Sequence, residues 1–181
     1  MKITQTNLTD ALIIEPEFFG DDRGFFYESF NKKAFASATG ITENFVQDNH
    51  SKSSKGVLRG LHYQIKNPQG KLVRVTCGEV YDVIVDLRKS SSTFGQWAGV
   101  TLSAENRCQL WVPQGFAHGF VVLSDSAEFL YKTTDYYAPE HERCIKWDDE
   151  QLAINWHYKK APLVSEKDAN GCAFKDADLF E

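Results

Sequence analysis

The sequence predicts an all-β fold of antiparallel sheets closed into a jelly roll, with a few short helices, in one domain spanning residues 1–181. Three observations carry this expectation. Apolar and β-branched residues come in short segments, and Gly, Asn, Asp and Ser separate them. Ten such segments follow one another, enough for a sandwich or barrel. Most adjacent segments have no helical stretch between them, so the crossovers that parallel strands require are missing.

Taken in order, the expected strands are residues 12–19 (opening Leu-Ile-Ile), 23–30 (around Phe-Phe-Tyr), 45–49, 57–64, 71–76, 80–87, 97–102, 108–112, 118–123 and 128–133. Asn31 reads as the N-cap of a short helix that ends at Gly40. A second helical stretch is expected near residues 150–156, and the tail beyond Pro162 reads as mostly irregular. Within residues 79–87 the alternation puts Tyr81, Val83, Val85 and Leu87 on one face. Asp82, Ile84 and Asp86 share the other, which should meet solvent or a cavity.

Composition excludes several functions. With 42% apolar residues, 12 Gly and 5 Pro, the chain is neither low-complexity nor disordered. Its net charge of −5 offers no global positive field for nucleic acid, so any anion site must be local. Residues 1–19 lack the apolar core of a secretory signal, and no apolar run is long enough to cross a bilayer. A soluble, cytoplasmic protein with no membrane contact is therefore expected. The cysteines at 77, 108, 144 and 172 contain no Cys-x-x-Cys pair and read as reduced thiols.

The densest polar stretch runs from Gln47 to Gln64 and holds Asn49, Arg59 and His62. Taken alone it also suits a solvated hairpin with a surface arginine. Gln69-Gly-Lys71 then places a lysine at the mouth of an apolar strand, and a Pro-Gln-Gly turn delivers His118 into another. Such turns at a barrel rim reach a cavity. Tyr131 shares a face with Phe129 and Thr133, which suits either a core tyrosine or a phenol held in an apolar pocket. Arg59 and His62, three apart, fall on opposite faces of a regular strand, and both enter one pocket only if Gly60 marks a bulge. The five histidines are scattered singly with no His-x-His, which argues against a metal centre. No Gly-x-Ser-x-Gly elbow or glycine-rich phosphate loop supports hydrolase or nucleotide-hydrolysis chemistry.

Six motifs occur in order: Asp22-Arg-Gly-Phe-Phe-Tyr-Glu28, Gln47-Asp-Asn-His50, Leu58-Arg-Gly-Leu-His-Tyr-Gln64, Gly70-Lys-Leu-Val-Arg-Val75, Val112-Pro-Gln-Gly-Phe-Ala-His-Gly-Phe120 and Tyr131-Lys-Thr-Thr-Asp-Tyr-Tyr137. Together they closely resemble the dTDP-4-dehydrorhamnose 3,5-epimerase family. The resemblance implies a cupin-type jelly roll, a homodimer and no cofactor. It also implies conversion of dTDP-4-dehydro-6-deoxy-D-glucose to dTDP-4-dehydro-L-rhamnose.

By the same resemblance His62 is the base, and Asp168 holds its ring; from sequence alone Asp168 equally suits a capping box with Ser165. Lys71 supplies charge at the C4 oxygen, and Tyr131 is the proton donor. Arg23, Arg59 and His118 meet the diphosphate, where a guanidinium fork suits phosphate oxygens. Glu28, Gln47, Asn49, Tyr137, Glu142 and Lys167 fall at other binding positions, and Phe26 and Tyr137 can stack on base or sugar. A single-carbon epimerase or ketoisomerase of a related dTDP-sugar, or a catalytically silent sugar-nucleotide-binding barrel, remains as the alternative.

Overall fold

The computed structural model describes all 181 residues. Its strands are, in chain order, β1 (Lys2–Gln5), β2 (Leu12–Glu15), β3 (Phe18–Asp21), β4 (Gly24–Tyr27), β5 (Gln47–Ser54), β6 (Leu58–Gln64) and β7 (Lys71–Cys77). They continue as β8 (Glu79–Asp86), β9 (Trp97–Ser103), β10 (Gln109–Val112), β11 (Phe116–Val122), β12 (Ser126–Thr133) and β13 (Glu142–Cys144). The helices are α1 (Lys32–Thr39) and α2 (Glu166–Ala169).

Two antiparallel sheets form the body, in the order β1-β2-β10-β7-β12-β5 and β13-β6-β11-β8-β9, while β3 and β4 make a separate hairpin. The period of two sends alternate residues into the space between the sheets. There Val73, Val75, Leu110 and Phe129 of the first sheet pack on Val80, Ile84, Leu102 and Phe120 of the second. Phe120 and Phe129 stack across that gap with ring centroids 4.3 Å apart. Truncating a buried phenylalanine such as Phe129 to alanine costs about 3–5 kcal/mol.

Each sheet is also covered on its outer face. Leu58, Tyr81, Val83 and Val85 are buried under Leu152, Trp156 and Phe174 of the C-terminal segment. Leu72 and Trp111 are covered by Phe35 of α1. That helix starts where the Asn31 side chain accepts the Ala34 N–H at 3.1 Å, and it ends at Gly40, whose φ of +77° suits a residue without Cβ.

The all-β jelly-roll class holds, and several boundaries differ. The expected strand 12–19 divides at Pro16, which has no N–H to donate to a ladder, into β2 and β3. The segment 45–49 begins two residues later and runs on to Ser54, because β5 is an edge strand with one pairing partner and so tolerates polar sequence. Strands β1 and β13, four and three residues long, escape a search for apolar runs. No helix forms at 150–156. Instead Asp149 accepts the Gln151, Leu152 and Phe174 N–H groups, which folds this stretch into turns and lays Leu152 and Trp156 on the sheet. All four cysteines are free thiols. No helix is long and apolar enough to cross a membrane.

Candidate active site

The inward-facing residues of the two sheets change character toward one end, where polar groups replace the apolar core around a cavity of about 320 Å³. Asn49, Arg59, His62, Lys71, His118, Tyr131, Tyr137 and Glu142 all line it, together with Gln64 and Gln69. His62 and His118 come from the five-stranded sheet, whereas Lys71 and Tyr131 come from the six-stranded sheet, so the cavity has imidazoles on one wall and a phenol on the other.

A bulge brings Arg59 and His62 together. On β11, His118 and Phe120 are two residues apart, and they pair with His62 and Arg59, which are three apart, so β6 carries one extra residue. Gly60 absorbs it with φ of +119°, and a Cβ there would stand 2.5 Å from the Gly119 Cα. Only glycine fits so close a backbone approach.

His62 Nε2 lies 2.5 Å from Asp168 Oδ1. The carboxylate is 3% exposed, and its other oxygen accepts from Ser165 Oγ at 2.8 Å. Ser165 also caps α2 by accepting the Asp168 N–H at 3.1 Å. The Ser165 cap and the histidine partner are therefore one structure: the cap residue fixes the carboxylate that fixes the ring. Burial alone would raise the Asp168 pKa, but the bond and charge of His62, with the Ser165 and Gly60 donors, outweigh it and hold the carboxyl below its ordinary value.

Lys71 is 8% exposed, and burial pulls its ammonium down to about 8 against the pull of the Asp82 and Glu142 carboxylates. Burial and then the Glu142 carboxylate raise the Tyr131 phenol, with Arg59 opposing, so the phenol keeps its proton at neutral pH. Asp82, which the sequence reading assigned no role, is fully buried, and both its oxygens lie 2.9 Å from His118 Nε2. Alternation put Asp82 on the face that meets solvent or a cavity, and that was the one signal that could have found it. Burial raises its pKa against His118 and Lys71. Its neighbour in the alternation, Asp86, belongs to another region and holds Arg88, Ser91 and Thr93.

The rim is tied by side-chain bonds. Tyr137 donates to Glu142 at 2.7 Å, and Lys167 pairs with the same Glu142 oxygen at 2.5 Å. Gln47 donates to Asn49 and accepts the Tyr137 N–H. Arg59 is anchored by donating from Nε to Ser53 Oγ at 3.1 Å, which leaves its outer nitrogens to the cavity.

Three expected binding residues stand apart from this cavity. Arg23 and Phe26 sit on the β3–β4 hairpin, where Arg23 pairs with Asp21 and Phe26 is 70% exposed. Glu28 accepts from Asn31 beside α1. Within one chain, none of the three lines the wall that holds His62 and Tyr131.

Comparison with known proteins agrees with this architecture. Residues 5–176 match the family described as dTDP-4-dehydrorhamnose 3,5-epimerase. The chain is 64% identical over 180 residues to the dTDP-4-dehydrorhamnose 3,5-epimerase of Pseudomonas aeruginosa, covering 99% of each. It is 60% identical to that of Shigella flexneri, again over 99% of each. The Legionella pneumophila dTDP-6-deoxy-D-glucose-3,5-epimerase, solved in complex with dTDP-4-keto-L-rhamnose, superposes with a TM-score of 0.96 at 54% identity, covering 99% of this chain and 97% of that one. With a matching profile across nearly its whole length and a jelly roll whose polar end gathers the expected side chains, this chain belongs to the dTDP-4-dehydrorhamnose 3,5-epimerase family.

Proposed function

We propose that the polar end of the barrel epimerises dTDP-4-dehydro-6-deoxy-D-glucose at C3 and C5, giving dTDP-4-dehydro-L-rhamnose. The observation that carries this reading is the Asp168–His62 pair on one wall of a cavity whose other wall holds Tyr131 and Lys71. A carbon next to a ketone loses a proton only when a base is positioned and the developing oxyanion is stabilised. His62 takes that proton, and Asp168 orients the ring and stabilises the imidazolium. Lys71, a buried ammonium, meets the C4 oxygen as the enolate forms.

Inversion needs the returning proton on the opposite face. Tyr131 projects from the facing sheet, and its raised pKa keeps it protonated until an enolate, a far stronger base, accepts the proton. The protonated His62 then loses its proton to solvent, and Tyr131 regains one, which readies the pair for the second carbon. Arg59 and His118 take the diphosphate at the bulge, while Gln47, Asn49, Tyr137, Glu142 and Lys167 frame the rim.

The active unit is a homodimer. Phe25 and Phe26 are 65% and 70% exposed on a hairpin that pairs with neither sheet, an apolar patch that a second copy would cover. A partner hairpin laid at the cavity mouth would bring Arg23 to the diphosphate and Phe26 to the base. Incubation with the 4-keto sugar nucleotide, followed by proton NMR of the product, tests the reaction. Inversion at both carbons is expected, inversion at one favours the single-carbon alternative, and unchanged sugar overturns the assignment.

A further inference from the structure

The face of β6 and β13 that carries the proposed base also carries a thiol. Cys144 is the direct antiparallel partner of His62, and opposed residues of neighbouring strands bring their Cβ atoms to about 4.5–5.5 Å on one face. Cys144 Sγ lies 4.0 Å from Asp168 Oδ1, the same oxygen that His62 Nε2 approaches at 2.5 Å. One ligand atom each from an imidazole, a thiol and a carboxylate thus falls within 4.8 Å of the other two. Proton transfer at carbon gives the sulfur no task.

We propose that His62, Cys144 and Asp168 form a binding site for a thiophilic divalent cation, zinc foremost, whose occupancy stops catalysis by engaging the base. A mixed nitrogen, sulfur and oxygen donor set suits zinc, whereas magnesium and calcium favour oxygen alone. Tetrahedral zinc would set the nitrogen and oxygen about 3.3 Å apart and the sulfur and oxygen about 3.5 Å apart. The ring and carboxylate must therefore part by less than about 1 Å, the sulfur close on the oxygen by about 0.5 Å, and the nitrogen and sulfur, now within 4.8 Å, come to about 3.5 Å, which side-chain rotations can supply. Three protein ligands leave the fourth position to water from the cavity.

On binding, a zinc–sulfur bond forms as the S–H bond breaks, and that proton leaves to solvent. His62 ligates as neutral imidazole through Nε2 with its proton on Nδ1, Asp168 ligates as carboxylate, and no electron is transferred. Without metal, burial and then the Asp168 charge push the Cys144 thiol up to about 12, so it stays protonated and unreactive. A dication in contact with sulfur reverses both influences, and the released proton makes binding tighten as pH rises. Inhibition rests on His62 being the base as proposed above, whereas metal binding does not.

The test is cobalt(II) titration of the substrate-free chain, followed by zinc X-ray absorption. One equivalent is expected to give intense visible bands of tetrahedral cobalt with a thiolate charge-transfer band, absent in Cys144→Ser. The zinc protein should show one sulfur at about 2.3 Å with nitrogen or oxygen at about 2.0 Å. Activity of the wild type should fall with zinc and return with chelator, and Cys144→Ser, active in chelated buffer, should need at least tenfold more zinc. If Cys144→Ser does not fold, the sulfur scatterer in wild-type protein still decides. A zinc shell without sulfur, or a thiolate band that survives in folded Cys144→Ser, overturns the site. Metal binding as described with full activity retained would leave the site and refute His62 as the base.

Discussion

His62 Nε2 and Asp168 Oδ1 lie 2.5 Å apart although 106 residues separate them in the chain. The contact joins a bulged barrel strand to the cap of a four-residue helix near the C-terminus. The carboxylate therefore reaches the ring already held by Ser165 and the Gly60 N–H, and rigid support of this kind fixes an acid–base group in one tautomer.

Asp168→Asn keeps the shape and removes the charge. We expect kcat to fall by roughly 10²–10⁴-fold with little change in KM, since the imidazolium loses its counter-charge only as it forms. Steady-state kinetics at several pH values check this.

Tyr131→Phe removes the donor from the wall opposite His62. Proton abstraction should survive in part while net inversion falls by at least roughly 10²-fold. NMR that counts exchanged and inverted carbons separately distinguishes the two steps, and equal losses of both would contradict the division of labour.

Lys71 sets a pH dependence. Its ammonium is lowered to about 8 by burial, so kcat/KM should have a descending limb near pH 8 as the charge at the ketone oxygen is lost. Asp82→Asn should move that limb to lower pH, because the Asp82 carboxylate pulls the Lys71 value up. For stability the sign is the reverse of a gained ion pair. A lysine lowered in the folded state destabilises the fold below about 8, and this cost disappears as pH rises into the ordinary lysine range. Lys71→Met should then be inactive yet more stable at pH 7, by on the order of 2 kcal/mol in chemical denaturation.

Arg23 lies outside the cavity of its own chain. If the hairpin serves the partner, mixing His62→Ala with Arg23→Ala chains after subunit exchange restores one intact site per mixed dimer. Activity should recover to about a quarter of wild type at equal mixing. No recovery above the separate variants would place Arg23 in service of its own chain or of none.

The sequence carried the strands whose alternation buries one face, such as β8 and β12, because period-two burial is a local signal. It did not carry β13, three residues held by long-range pairing with β6, or the turns at 150–156, where the single side chain of Asp149 decides the path. Parity left Arg59 and His62 unresolved, since the extra residue at Gly60 shows only through its pairing with β11. Asp82 was visible as a carboxylate on the polar face of β8, toward solvent or a cavity, but not as the partner of His118, because neither β8 nor β11 alone states their register. For the hairpin residues, only the family resemblance pointed to binding, and a single chain gives them nothing to bind.

The most direct measurement is deuterium exchange at C3 and C5 of dTDP-4-dehydro-6-deoxy-D-glucose in heavy water, followed by NMR with wild type and His62→Ala. The account predicts exchange at both carbons with wild type and at neither with the variant. Exchange at undiminished rate in folded His62→Ala would contradict it.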